Sequence, residues 1–126
     1  ERFPHLKVVS AENDVGWMPN WVHRLDHVHA KIPDSGQLSL KPSEYVHRNV
    51  WGTFQDDPIG PATWQFFGEH NYMWASDFPH ADSTFPNSLK VIDEHFADIP
   101  AEVTQNIVFE NVKQLYNIGV NENRHE

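Results

Sequence analysis

The sequence predicts an α/β fold of about three parallel strands with flanking helices. Three short apolar runs, at residues 6–10, 50–54 and 72–76, have the length and composition of buried strands. Each run is followed by a segment in which apolar residues recur at helical spacing. Strands that alternate with helices form βαβ units, and the strands of such units pair in parallel.

The predicted helices rest on this spacing and on residues that favour helix ends. Pro19 suits the first turn of a helix in which Trp21, Leu25 and Val28 share one face, and residues 32–36 are predicted to end it. A short helix could begin at Pro42, where Ser43 and Glu44 follow. The remaining predicted helices cover residues 61–69, 86–96 and 101–118.

Composition limits the classes of partner that the chain can have. Its 126 residues suffice for one domain, whereas a closed (β/α)8 barrel needs about 250. The formal net charge of -9, from 18 acidic residues against 9 Lys and Arg, argues against a nucleic-acid partner. The sequence has no apolar run near the roughly 20 residues of a membrane span, and it has no cysteine. We therefore expect a cytoplasmic protein with a small-molecule substrate, and neither a nucleic-acid nor a membrane partner.

The stretch at residues 72–86 organises the candidate site. Its apolar strand ends at Asp77, and His80 and Asp82 follow before the next helix. In parallel α/β barrels, active sites lie at the carboxyl ends of the strands, where such side chains enter the loops. Asp77 is therefore predicted as a catalytic carboxylate, and His80 as a group that contacts substrate or supports a metal ligand. The alternative for His80 is a loop histidine packed on Phe85.

The run Ala75-Ser76-Asp77-Phe78-Pro79-His80 resembles the last-strand motif of the amidohydrolase-related family, in the branch that includes metal-dependent aromatic-acid decarboxylases. Asp56-Asp57-Pro58 and Glu110-Asn111-Val112 are similar to its seventh loop and closing helix. The resemblance implies that residues 1–126 are the C-terminal part of a (β/α)8 TIM-type barrel, its last three βα units and closing helix. It further implies a homo-oligomer or a missing N-terminal half.

The resemblance also implies a divalent metal, with Asp77 as one ligand and the remaining ligands outside this chain. Zinc is the first choice and manganese the second. Glu12 stands where much of this family has a histidine followed by two glycines, after the sixth strand. A carboxylate there can transfer protons if burial raises its pKa, and it can otherwise anchor a metal or a cationic group. We favour the anchor role, and a purely structural glutamate is the alternative.

Three further residues follow strand ends and are predicted to contact substrate: Trp17, Phe54 and Asp56. Strand ends converge on one pocket in a barrel, so Trp17 and Phe54 could form an apolar wall and Asp56 could bind a polar group. The alternative for the aromatic residues is core packing, and for Asp56 it is a helix cap shared with Asp57. His23 and His27 have a chelating spacing, but we place both on the solvent face of their helix.

The predicted function is that of a metal-dependent hydrolase in which activated water attacks a small carbonyl-type substrate. Two alternatives remain open. One is nonoxidative decarboxylation of an aromatic or unsaturated acid, and the other is a noncatalytic binding or assembly domain that keeps the barrel architecture. Because the metal ligands expected elsewhere in this family are not in the sequence, we expect the isolated chain to be inactive and to bind metal weakly.

Overall fold

A computed structural model describes residues 2–32 and 37–119 and contains one parallel sheet with the strand order β1-β2-β3. In its register Val9 is opposite Trp51, and Thr53 is opposite Met73. Residues 33–36, within the segment predicted to end the first helix, lie outside the described residues. The parallel pairing and the flanking helices confirm the predicted fold class.

The strands are β1 (Val8–Ser10), β2 (Val50–Phe54) and β3 (Tyr72–Trp74). The α-helices are α1 (Met18–Lys31), α2 (Pro42–Asn49), α3 (Ile59–Ala62), α4 (Ser88–His95), α5 (Ala101–Gln105) and α6 (Asn111–Tyr116). Two 3-10 turns, Trp64–Phe66 and Gly68–His70, precede β3, and a π-helix, Asn106–Glu110, joins α5 to α6. The segment at residues 61–69, predicted as one helix, is therefore the end of α3 followed by two short 3-10 turns.

The hydrophobic core lies between the sheet and the helices. Phe54 and Tyr72 are fully buried at its centre, with ring centroids 6.1 Å apart in an edge-on arrangement. Phe54 also stacks on Phe96 at 6.4 Å, and Ile107 of the π-helix is fully buried in the same cluster. Burial of such a side chain contributes roughly 1.5–3 kcal/mol, so these residues fix how the helices lie against the sheet.

Two buried asparagines fix the position of β3. Asn71 donates its side-chain N–H groups to the carbonyls of His47 and Val50, at 2.9 and 2.8 Å. Asn111 donates in the same way to Glu69 and Tyr72, at 2.9 and 2.8 Å. Each amide satisfies backbone carbonyls at the end of the sheet where the strands begin, and Asn111 thereby ties α6 to β3.

The outer face of α1 is polar. His23 and His27 are both exposed, with ring centroids 6.3 Å apart, and this confirms their predicted position on the solvent face. No helix within residues 2–32 and 37–119 is long and apolar enough to span a bilayer.

Candidate metal centre

Three side chains meet at the carboxyl edge of the sheet. Glu12 follows β1, and Asp77 and His80 follow β3; one oxygen or nitrogen from each lies within 4.8 Å of the other two. The Nδ1 atom of His80 is 3.0 Å from Oδ2 of Asp77 and 3.6 Å from Oε1 of Glu12. The three residues predicted to be catalytic therefore form a single cluster.

The backbone at both carboxylates has an unusual conformation. Glu12 and Asp77 have φ angles of 58° and 56°, in the left-handed region that favours glycine. A non-glycine residue there costs roughly 1–2 kcal/mol, and such residues are enriched at functional sites. The N–H of Glu12 donates to Oγ1 of Thr53 at 3.1 Å, so β2 helps to hold this conformation.

Asp57 connects the loop that carries Glu12 to the loop after β2. Its Oδ2 accepts hydrogen bonds from the N–H groups of Val15 and Gly16, at 2.9 and 2.8 Å. Its Oδ1 accepts from Ile59 and Gly60, at 2.9 and 3.3 Å. A Cβ on Gly16 would lie 2.9 Å from the Ile59 side chain, so the two loops approach too closely for a larger residue. One buried carboxylate thus fixes the loop after β1 against the start of α3.

The loop after β3 is closed by its own hydrogen bonds. The carbonyl of Ser76 accepts from the Ser83 hydroxyl at 2.7 Å and from the Thr84 N–H at 3.1 Å. The N–H of His80 donates to the Asp77 carbonyl at 3.0 Å. This closed loop turns His80 back over the Asp77 carboxylate.

Negative charge is concentrated at this edge. The pKa of Glu12 is raised, first by a hydrogen bond with Asp77 and then by the charge of Asp77, while His80 opposes the shift. Burial raises the pKa of Asp14, and the charges of Asp57, Asp82 and Asp56 raise it further. A field of one sign attracts the opposite charge, so this edge favours a cation.

The geometry of the cluster fits a divalent metal. Two ligands of a tetrahedral ion, each about 2.0–2.1 Å from it, lie about 3.3 Å apart, and the candidate ligand atoms of this cluster lie within 4.8 Å of one another. Carboxylate and imidazole groups are ligands for both zinc and manganese. The Asp77 side chain is only 12% exposed, whereas those of Glu12 and His80 are 57% and 62% exposed, so the centre opens toward one side.

Each of the predicted substrate contacts has other partners in the structure. Phe54 is fully buried in the core and has no surface to offer a substrate. Asp56 is largely exposed, with Oδ1 3.3 Å from Nε2 of His95. Trp17 donates its indole N–H to the carbonyls of Asn13 and Asp14, at 2.9 and 3.1 Å, and thereby braces the loop that carries Glu12.

Phe85, against which the alternative for His80 placed this histidine, has another aromatic partner. Its ring contacts that of Phe78 edge-on, with centroids 4.9 Å apart, and both rings are more than half exposed. His80 instead contacts Asp77 and Glu12. An exposed aromatic pair therefore lies in the same loop as the cluster.

The sequence prediction gave no role at the site to Thr53 and Asp57, although both support it. Thr53 lies in β2 with its hydroxyl toward Glu12, and Asp57 was considered only as a cap for the next helix. Asp57 does cap the first turn of α3, but it also binds two N–H groups of the distant loop. An aspartate before a proline and a helix signals the cap, whereas nothing local signals the second contact.

A parallel α/β sheet with a cluster of carboxylates at its carboxyl edge is the arrangement found in part of an α/β barrel, with the candidate metal site at the edge where barrel active sites lie. The family model Amidohydro_2, described as amidohydrolase, matches residues 1–118. The chain therefore belongs to the amidohydrolase family. No curated protein matches the sequence significantly.

Solved structures of similar fold include three enzymes. A 5-carboxyvanillate decarboxylase, LigW from Sphingomonas paucimobilis, has a TM-score of 0.72 and 28% identity, over 92% of this chain and 35% of that one. An amidohydrolase from Mycobacterium avium subsp. paratuberculosis K-10 has a TM-score of 0.72 and 23% identity, over 90% and 29%. A dihydroxybenzoic acid decarboxylase from Polaromonas sp. JS666, with bound manganese and the inhibitor 2-nitroresorcinol, has a TM-score of 0.70 and 17% identity, over 92% and 35%.

The chain spans about a third of the length of each of these proteins. Its three parallel strands and flanking helices correspond to part of a (β/α)8 barrel. The assignment of residues 1–126 to the last three βα units and the closing helix stays a prediction.

Proposed function

We propose that Glu12 and Asp77 bind a divalent metal in the active site of an amidohydrolase-family enzyme that acts on a small carbonyl-type substrate, with His80 beside them as a proton-transfer group. The observation that carries this proposal is the approach of their ligand atoms to within 4.8 Å of one another. Further ligands come from outside this chain, as the sequence resemblance implies. Zinc is the first choice, and the manganese bound to the Polaromonas decarboxylase supports the second.

A bound divalent ion would act as a Lewis acid and lower the pKa of a coordinated water. The chain's own residues then have distinct roles. Asp77 is the least exposed member of the cluster and is the principal ligand. Glu12 is mainly an anchor, because a cation beside it relieves its repulsion with Asp77.

His80 is proposed to carry protons during hydrolysis. When its Nδ1–H donates to Asp77 Oδ2 at 3.0 Å, its Nε2 is left as the acceptor. The carboxylate fixes this tautomer and stabilises the imidazolium that forms when Nε2 takes a proton. His80 can later return that proton to a leaving group, which is the role of a general acid and base.

Nonoxidative decarboxylation is the second candidate, and two observations favour it. The Sphingomonas decarboxylase is 28% identical to this chain over 92% of its length. The raised pKa of Glu12 gives a carboxyl group that retains its proton to higher pH than an ordinary glutamate does. Such a group could protonate the substrate carbon after CO2 leaves. On this alternative Glu12, rather than His80, supplies the essential proton.

The test uses the metal-loaded full-length enzyme with two panels of substrates, one of amides and esters and one of hydroxylated aromatic acids. Hydrolysis should be lost in His80→Gln, while Glu12→Gln should mainly raise KM. Release of CO2 that is lost in Glu12→Gln would establish the decarboxylase instead. Asp98→Asn, an exposed aspartate outside the cluster, is the matched control and should retain full activity. Unchanged activity in Asp77→Asn would contradict both candidates.

A further inference from the structure

A cavity of about 420 Å³ opens at the other end of the sheet, where the strands begin. Lys7 precedes β1 and Asn71 precedes β3, whereas Glu12 and Asp77 follow these strands, so the cavity and the carboxylate cluster lie at opposite edges. Its volume falls within the range of about 300–1,000 Å³ that is usual for small-molecule sites. The function proposed above makes no use of this cavity.

The charge of the cavity wall differs from that of the chain as a whole. The sequence has 18 acidic residues against 9 Lys and Arg, yet the nine described residues that line the cavity include no Asp or Glu. They do include one lysine, two histidines and a glutamine: Lys7, His47, His70 and Gln114. Each of these side chains carries an N–H group that can donate a hydrogen bond.

The ammonium group of Lys7 is held in place. Its Nζ donates to the Arg48 carbonyl at 3.1 Å and lies 4.6 Å from the centre of the Trp51 ring. An ammonium has three N–H donors, so two remain for a ligand after the bond to Arg48 is made. The position of the charge is thus set by the protein, and ordering it costs a ligand less than ordering a free lysine would.

The two histidines are also supported by contacts. The ring of His47 packs against Phe67 at a centroid distance of 4.8 Å. The carbonyl of His70 accepts a hydrogen bond from the indole N–H of Trp51 at 3.2 Å, which fixes the turn that carries it. The amide N–H groups of Asn71 and Asn111 are bound to backbone carbonyls, so these two residues form the frame of the cavity rather than its donors.

We propose that this cavity binds a small anion through a phosphate or carboxylate group, with Lys7 as the charged contact and His47 and His70 as neighbouring donors. Phosphate and carboxylate share the chemistry that this wall recognises, namely negative oxygens that accept several N–H hydrogen bonds. The net charge of -9 disfavours an anion over the chain as a whole, so the cavity wall, which has no Asp or Glu among its described residues, is the more favourable place for one.

The test is an NMR titration of the 126-residue chain at low ionic strength, with inorganic phosphate in one arm and succinate in the other. We expect saturable binding of at least one probe, with the largest histidine ring shifts at His47 and His70. Tighter binding of phosphate would identify a phosphate-type ligand, and tighter binding of succinate a carboxylate-type ligand. Absence of saturation with both probes, or equal shifts at the solvent-facing His23, would overturn the proposal.

Single-residue variants distinguish binding in this cavity from a general effect of net charge on the affinity. Lys7→Gln should weaken binding about tenfold, because it removes the charged contact and its N–H hydrogen bonds to the anion. Lys90→Gln removes the same charge from the exposed Lys90–Glu94 pair on α4 and should leave the affinity unchanged. His70→Gln gives a second measurement if Lys7→Gln fails to fold, and it should weaken binding several-fold. Equal losses in Lys7→Gln and Lys90→Gln would contradict the assignment.

Discussion

His80 Nδ1 lies 3.0 Å from Asp77 Oδ2, and the same nitrogen lies 3.6 Å from Oε1 of Glu12, a residue from a different strand. The imidazole therefore stands between two carboxylates that would otherwise repel each other. Glu12 and Asp77 both have φ angles in the left-handed region, which is unfavourable for residues other than glycine. The rest of the fold therefore holds this arrangement at a local cost in free energy. A cation bound beside the two carboxylates would relieve the repulsion between them.

The first prediction concerns Asp57. Asp57→Asn should lower the free energy of unfolding by about 2–3 kcal/mol, because one acceptor oxygen becomes an N–H donor facing two backbone N–H groups. Chemical denaturation measures this loss. Asp56→Asn is the matched control, since Asp56 is largely exposed and should change stability by less than about 0.5 kcal/mol. Equal effects in the two variants would show that the connection between the loops contributes little.

The second prediction concerns Glu12 and pH. A raised pKa in the folded state means that the folded protein holds this proton more tightly than the unfolded chain does. The stability that this group contributes is therefore present below the ordinary value of 4.5 and is lost as the pH rises through the raised value. Glu12→Gln should thus raise Tm at pH 7, while Tm near pH 4 changes little.

Thermal unfolding of the metal-free chain at both pH values checks this expectation. Glu94→Gln is the control, because Glu94 pairs with Lys90 and should not become more stable when its charge is removed. A lower Tm for Glu12→Gln at pH 7 would mean that the Glu12 charge is already compensated within the chain.

The third prediction concerns Tyr72, which is buried and donates its hydroxyl to the Val15 carbonyl at 3.2 Å. Burial raises its pKa well above the ordinary value of 10.0. Above about pH 10 the unfolded chain releases this proton while the folded protein retains it, so stability falls as the pH rises further. Tyr72→Phe should remove that fall at the cost of about 1 kcal/mol at pH 7. Tyr116→Phe, in an exposed residue, should leave the alkaline fall unchanged, and urea denaturation at several alkaline pH values measures both.

The sequence was sufficient to predict the parallel strands and the meeting of Glu12 with Asp77. The apolar run at residues 50–54, bounded by turn-forming residues, predicts β2 with the ends that the structure has. Parallel strands necessarily bring the residues that follow them to one edge of the sheet. The prediction of a single helix at residues 61–69 was wrong, because this segment packs tightly on the core. A Cβ at Gly68 would lie 2.1 Å from the Tyr72 ring, a contact with a residue that only the fold reveals.

The side chain of Phe54 shows why residues at strand ends are hard to assign. Alternate residues of a strand point to opposite faces, and Gly52 and Phe54 are both buried toward the helices. Thr53 lies between them and reaches Glu12 from the other face. Position at the end of a strand therefore predicts nearness to the site, but the alternation decides which side chain reaches it.

The most direct test of the metal centre is a calorimetric titration of the chain with Zn²⁺ and, separately, Mn²⁺. The chain should carry His23→Gln and His27→Gln, which remove the exposed pair on α1 as a competing site. We predict weak but saturable binding of one ion, weakened at least about tenfold by Asp77→Asn and unchanged by Asp98→Asn. Binding that is equally strong in Asp77→Asn, or no binding of either ion, would contradict the assignment of Glu12 and Asp77 as metal ligands.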